Sequence, residues 1–195
     1  TASNRPTTIT LPRGTTFSSS VDGVAYTFQT RENFVGTDDG NGTYQFLNAN
    51  GETGIPVFEG TEKTKTFFVG DTTDQQIYVI PDVTMDTSTI RVRVFPTSSA
   101  TTFDTYLNIV DAIRITNESA FYQIKETPNG FYEIIFGDGI STGLAPKAGN
   151  KIVIDYLSTV GSTANGAASF STEAVVTVNS VNFNVTTTTE SISAG

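Results

Sequence analysis

The sequence contains no cysteine, no histidine and no tryptophan in 195 residues. Without cysteine the chain can form neither disulfides nor thiolate metal sites, and without histidine it lacks the commonest general base and zinc ligand. Together these absences exclude nucleophilic catalysis of the Ser-His-Asp or Cys-His kind. Sugar-binding sites usually present exposed aromatic rings, so the lack of tryptophan counts against such a site.

Long apolar runs and positive charge are also scarce. No run approaches the roughly 18 apolar residues that a membrane-spanning helix needs. Lys and Arg total 11 against 20 Asp and Glu, which gives a formal net charge of −9. Because this charge opposes binding to nucleic acid or to an anionic membrane face, we expect no nucleic-acid partner and no membrane partner.

The residues that are abundant favour β-structure. About one residue in six is threonine, and 11% of the chain is aromatic; both types are enriched in strands. The length suits one large or two small domains with a substantial core. The sequence predicts an all-β fold, in which antiparallel sheets form sandwich-like or barrel-like domains with at most one or two short helices.

Residues 131–156 hold two apolar runs separated by dense turn chemistry. The runs Phe131–Phe136 and Lys151–Tyr156 are typical of strands. Between them lie Gly137-Asp138-Gly139 and Gly149-Asn150, in which glycine permits a positive φ and the Asp and Asn side chains bond nearby backbone. We interpret these five residues as structural turn motifs.

Asp138 also belongs to the one enzymatic arrangement that the composition leaves open. A pair of carboxylates can hydrolyse a glycosidic bond, and Glu133 is the nearest candidate partner in sequence. An aspartate between two glycines more commonly accepts hydrogen bonds from neighbouring amides and fixes the loop. We therefore predict no enzyme activity, no cofactor and no small-molecule substrate.

Arg91 and Arg93 form a basic stripe on a predicted half-buried strand. Ile90, Val92 and Val94 alternate with them, so the arginines face away from the core. They are candidate interface residues that could contact a partner's carboxylates. The alternative is a solvated face whose exposed ion pairs contribute little, and it is the favoured interpretation of the pattern.

The acidic segment 37–48 invites comparison with a calcium loop. With Gly42 at the sixth position of an EF-hand loop, Thr37 replaces the first acidic ligand and Asn48 replaces the last. Both substitutions remove ligands that the loop requires. The sequence therefore predicts an ordinary turn here and no metal site.

A series of short motifs resembles baseplate wedge proteins of T-even-like contractile-tailed phages, a branch of the baseplate J-like family. The series begins near residue 9 and runs to the C-terminus in the family's order. No single motif is specific, and the ordered series carries the resemblance. Its members are Thr10-Leu11-Pro12-Arg13-Gly14-Thr15, Val21-Asp22-Gly23, Val57-Phe58-Glu59-Gly60-Thr61, Asp86-Thr87-Ser88-Thr89, Phe136-Gly137-Asp138-Gly139, Gly149-Asn150, Tyr156 and Thr189-Glu190-Ser191-Ile192.

The resemblance implies a structural subunit of the contractile-tail baseplate. Such a protein assembles with other wedge proteins and with copies of itself, as a homodimer or ring around the tail tube, and takes part in the conformational switch of the tail. Its location is the virion, after assembly in the host cytoplasm. The alternative is a carbohydrate-binding or adhesin-like β-sandwich on a surface protein, which the Thr- and Asn-rich acidic composition suggests.

The resemblance also implies how the chain is divided. Residues 1–54 and 161–195 are expected to form one discontinuous β domain, into which residues 55–160 are inserted as a second β domain. The start at Thr1 and the end at Gly195 are those expected of an internal fragment of a longer protein.

Overall fold

A computed structural model describes residues 5–48, 50–71, 76–112 and 114–193. The predicted all-β class is confirmed, because the described residues form fifteen strands and no α-helix. The two helical segments, Ile109–Asp111 and Gly161–Ala164, are short 3₁₀ turns. None of the described residues lies in a helix that is long and apolar enough to cross a membrane.

The chain packs as two compact units. One contains Thr1–Thr61 and Thr159–Gly195, and the other contains Glu62–Ser158. The domain boundaries that we expect from the sequence, after residues 54 and 160, stay a prediction, because compact packing does not show that a unit folds independently.

The first unit contains three small antiparallel sheets. Strands β1 (Thr8–Leu11), β4 (Phe34–Asp38) and β5 (Tyr44–Phe46) form one sheet, and β2 (Thr16–Val21), β3 (Val24–Gln29) and β6 (Phe58–Glu59) form another. The hairpin of β14 (Val175–Val178) and β15 (Val181–Asn184) is the third.

Contacts between the early and late segments hold the first unit together. The amide of Ser18 donates to the carbonyl of Ser171 at 2.8 Å, and the reverse bond is 2.9 Å. The ring of Phe28 meets that of Phe170 edge-on, with centroids 5.0 Å apart. The buried apolar core consists of Ile9, Leu11, Phe17, Phe28, Phe34, Ala164, Ala167 and Val176.

The second unit is a nearly closed seven-stranded barrel. Its strands are β7 (Thr61–Phe68), β8 (Ile77–Ile80), β9 (Met85–Phe95), β10 (Asp104–Asn108), β11 (Phe121–Glu126), β12 (Tyr132–Phe136) and β13 (Lys151–Ser158). They lie in the order β7-β13-β9-β10-β11-β12-β8. Rings on the two end strands approach each other, because the Phe67 and Tyr78 centroids are 5.2 Å apart. The interior is filled by alternate residues of each strand, as the period of two requires.

Strand order within the barrel departs from chain order at β8 and β13. The apolar runs of residues 131–156 are not neighbours: β12 lies between β11 and β8, whereas β13 lies between β7 and β9. The loop between them therefore connects separate parts of the sheet. Strands β10 and β11 are parallel, although the predicted sheets are antiparallel.

Candidate functional site

The two candidate interface arginines lie on the outer face of β9. The long strand alternates as predicted, with Val92 and Val94 buried in the barrel and Arg91 and Arg93 on the opposite face. Their partly buried environment differs from the predicted solvated face. Neighbouring strands β13 and β10 pair antiparallel with β9 on either side and determine which side chains surround the arginines.

Three rows of side chains run across this outer face. Lys151, Phe95 and Phe103 form the first row, since Lys151 is the β13 partner of Phe95 and Phe103 directly precedes the Asp104–Val94 pair. The registers place Val153, Arg93 and Thr105 in the second row, and Asp155 and Arg91 in the third, beside Leu107, which directly follows the Tyr106–Val92 pair. We call Arg91, Arg93, Phe95, Phe103 and Lys151 the basic-aromatic face.

Cations and rings of the basic-aromatic face contact each other directly. The Lys151 ammonium lies 4.3 Å from the centre of the Phe95 ring, and its Nζ donates to the carbonyl of Ser98 at 2.9 Å. The guanidinium of Arg91 lies 5.7 Å, and that of Arg93 5.3 Å, from the centre of the Phe103 ring. These distances are within the range of cation–π attraction, so the rings hold the positive charges in place.

Asp155 is the acidic partner within the same three rows. Its carboxylate is buried, with the side chain 7% exposed, and Oδ2 accepts a hydrogen bond of 2.6 Å from Nη2 of Arg93. Oδ1 accepts from the Thr64 hydroxyl at 2.8 Å. Among the described residues, Nε of Arg93 is buried and has no hydrogen-bond partner. A buried ion pair of this kind fixes the side chains that form it.

The side chain of Asp138 closes the Gly137-Asp138-Gly139 turn by accepting hydrogen bonds from nearby residues. Its Oδ1 accepts from the amides of Ile140, Ser141 and Thr142 at 2.7 to 2.9 Å, and Oδ2 accepts from the Ser141 hydroxyl at 2.6 Å. The Ser141 bond, followed by the amide bonds, holds the pKa of the Asp138 carboxyl well below its usual range. The carboxylate is thus a fixed acceptor rather than a proton donor.

Gly137 and Gly139 suit this loop for two different reasons, a close approach of the backbone and a positive φ. A Cβ at Gly137 would lie 2.2 Å from the carbonyl oxygen of Thr142. Gly139 has a φ of 70°, a conformation that other residues rarely adopt. Glu133, the other member of the carboxylate pair considered above, pairs across the strands with Lys125, at 3.9 Å. Glu133 is thus paired with a cation, and the Gly137–Gly139 loop is a closed turn.

Asn150 ties the second turn motif to two other parts of the barrel. Its Oδ1 accepts from the amide of Lys147 at 2.7 Å, and its Nδ2 donates to the carbonyl of Pro96 at 3.0 Å. Its carbonyl accepts from the amide of Val69 at 2.9 Å. Gly149, with a φ of 86°, provides the positive φ beside it. The turn therefore joins the ends of β7, β9 and β13.

The acidic segment compared with a calcium loop forms hydrogen-bonded turns. Oδ1 of Asp38 accepts from the amides of Gly40 and Gly42, at 2.9 and 3.0 Å. Asp39 accepts from Asn41 at 2.8 Å, and this bond is the main reason that its pKa is lowered. No group of three or more Asp and Glu side chains in the described ranges is arranged to hold a metal ion.

One polar cluster of the barrel is not predicted by any local sequence motif. Oδ2 of Asp82 accepts from Lys63 Nζ at 2.7 Å and from the Tyr156 hydroxyl at 3.1 Å. Burial acts to raise the pKa of Asp82, but the bonds from Lys63, Thr84 and Tyr156 outweigh it and lower the pKa to about 2. Burial, with the Asp82 charge beside it, raises the pKa of Tyr156 to about 12. The cluster is a cross-link between strands distant in sequence.

No protein-family model matches the chain. No curated protein matches it significantly.

Proposed function

We propose that this chain is part of a structural subunit of a phage contractile-tail baseplate. Its role is to hold neighbouring subunits together around the tail tube, through contacts with other wedge proteins and with copies of itself. The observation that carries the proposal is the ordered series of motifs that resembles the baseplate wedge proteins. The proposal includes location in the virion after assembly in the host cytoplasm.

The place of the motifs in the fold supports the proposal. Asp22 and Gly23 of the second motif both have a positive φ, at 51° and 80°, and join β2 to β3. The Phe136–Gly139 motif forms the closed turn after β12, and Asn150 ties three strand ends together. Motifs at such positions determine the fold rather than a reaction, which is what a structural subunit requires.

The surface chemistry of the barrel agrees with an assembly role. Arginine and aromatic residues are enriched in the cores of protein interfaces, and the basic-aromatic face combines both. Large apolar side chains are also exposed on the barrel, among them Phe68 at 66% and Ile77 at 54%. Single exposed apolar side chains are normal on folded proteins, so the basic-aromatic face is the surface feature that supports the assembly role.

The proposal is tested by the protein content of purified tails. Mass spectrometry of baseplates, isolated from a phage that encodes this chain, is expected to detect the parent protein in a fixed ratio to the other baseplate proteins. A glycan array probed with the chain is expected to show no binding. Absence of the protein from purified baseplates, or specific glycan binding, would instead favour the carbohydrate-binding alternative.

A further inference from the structure

We infer that the basic-aromatic face binds an extended acidic segment of a partner protein, with carboxylates at alternate positions. This inference rests on the proposed assembly function and adds the chemistry of one partner. The face lies on the outer side of β9 and its two neighbours. It includes the two arginines that the sequence singles out.

The charge of the face is opposite to the charge of the chain. The whole sequence has a net charge of −9, with only 11 Lys and Arg residues. Three of these cations, Arg91, Arg93 and Lys151, lie within three adjacent rows, and Asp155 is the one carboxylate of those rows. An acidic partner segment would be attracted here, whereas the overall charge of the chain disfavours it elsewhere.

The ion pair with Asp155 does not use all the N–H donors of Arg93, so other donors can bond a second acceptor. A guanidinium has five N–H donors, and the bond to Asp155 uses Nη2 of Arg93. Rings of Phe95 and Phe103 lie within 6 Å of the guanidinium, at 5.8 and 5.3 Å. The side chain is thus held in one place before a partner arrives, which lowers the entropy cost of binding.

The spacing of the arginines determines the shape of the partner. Arg91 and Arg93 are two residues apart on one face of a strand, a separation of roughly 6.5 to 7 Å. Carboxylates at positions i and i+2 of an extended segment have the same spacing, so two charge-assisted bonds can form in register. Leu107, at 57% exposure, and Phe103, at 38%, offer apolar contact beside the cations.

The test measures binding of labelled peptides to the full chain by fluorescence anisotropy. The first peptide is a dodecamer of alternating Glu and Thr, because threonine favours an extended backbone. A second peptide has the same composition with all Glu residues in one block. A third alternates Lys and Thr. Dextran sulfate and single-stranded DNA, used as competitors, report whether the face binds any polyanion.

We expect the alternating Glu peptide to bind more tightly than the block peptide, and the Lys peptide not to bind. Arg91→Gln and Lys151→Gln should each weaken binding about fivefold, because each removes one cation from the face. Lys125→Gln is the matched control, since its side chain is 70% exposed and lies on β11. It removes one cation outside the face and should leave the affinity unchanged. Far-ultraviolet circular dichroism checks that each variant is folded.

Several results would overturn the inference. Equal binding of the alternating and block peptides, or an equal loss in Lys125→Gln, would show general attraction of acids. Stronger binding of the polyanion competitors would point to a sulfate or phosphate ligand instead. No peptide binding at low salt would show that the face is not such a site. None of these results would contradict the proposed location in the baseplate, so the proposed function is tested separately.

Discussion

Arg93 and Asp155 form a buried ion pair between neighbouring strands, with Nη2 of the arginine 2.6 Å from Oδ2 of the aspartate. The arginine side chain is 22% exposed and the aspartate side chain 7%. Water therefore has little access to the carboxylate. Removing one member leaves the other charge buried without its partner, which costs far more than breaking an exposed pair.

Arg93→Gln is accordingly expected to lower the free energy of unfolding by about 3 kcal/mol. The control is Lys125→Gln, which breaks the exposed 3.9 Å pair with Glu133 and should cost less than about 0.5 kcal/mol. Urea unfolding of both variants measures the difference. Equal, small losses in the two variants would show that the Arg93 pair is as well solvated as a surface pair.

Gly137 and Gly149 are both required by the turns, but for different physical reasons. An alanine at Gly137 would place a Cβ 2.2 Å from the backbone oxygen of Thr142, so Gly137→Ala should destabilise the chain by about 2 kcal/mol. Gly149 faces open space but has a φ of 86°. Gly149→Ala should therefore cost about 1 kcal/mol, through backbone strain alone. Urea midpoints compare the two, and a Gly137→Ala protein as stable as the parent would refute the close approach.

Asp82 should make stability depend on pH in the acid range. Its folded-state pKa, about 2, is below the ordinary aspartate value of 3.8. The carboxylate therefore contributes stability above about pH 4, and the contribution is lost as the pH falls toward 2. Because Lys63 is 47% exposed, solvent screening reduces this contribution to about 1 kcal/mol.

Asp82→Asn isolates this contribution. The variant should be less stable than the parent at pH 7, and the difference in urea midpoint should shrink steadily between pH 4 and pH 2. Glu133→Gln, in the exposed pair with Lys125, is the control and should cost less than about 0.5 kcal/mol at pH 7. A difference for Asp82→Asn that stays constant with pH would contradict the lowered pKa.

The compact unit of residues 62–158 should fold when it is expressed alone. It has its own apolar core, which includes Ile80, Val92, Ile134, Ile152 and Ile154, each fully buried. Cooperative urea unfolding and a near-ultraviolet circular dichroism spectrum from ordered aromatic rings are the expected results. A fragment that lacks both would show that the barrel depends on the rest of the chain, and the predicted domain insertion would be wrong.

Local patterns predict the all-β class and many of the strands. The alternation of Ile90, Val92 and Val94 with the arginines places β9 with the correct face inward, because strand side chains alternate with a period of two. Asn129-Gly130 predicts the β11–β12 hairpin, and Gly130 has the required positive φ of 76°. Asp138 lies in the predicted turn because its bonds are to residues two to four positions away.

Such local patterns do not predict contacts between residues that are distant in sequence. The position of β13 between β7 and β9, and the parallel pairing of β10 with β11, depend on registers that no local motif specifies. Strand alternation does not reveal the burial of Asp155, because that burial depends on Arg93 and Thr64, which bind it from other strands. Lys63, Asp82 and Tyr156 likewise meet only in the folded barrel.

The most direct test of the baseplate proposal is a cryo-electron microscopy map of an intact tail from a phage that encodes the chain. The account predicts that the two compact units fit density in the wedges around the tail tube, in several symmetry-related copies. Density for both units at the tip of a receptor-binding fibre, or in no part of the baseplate, would contradict it.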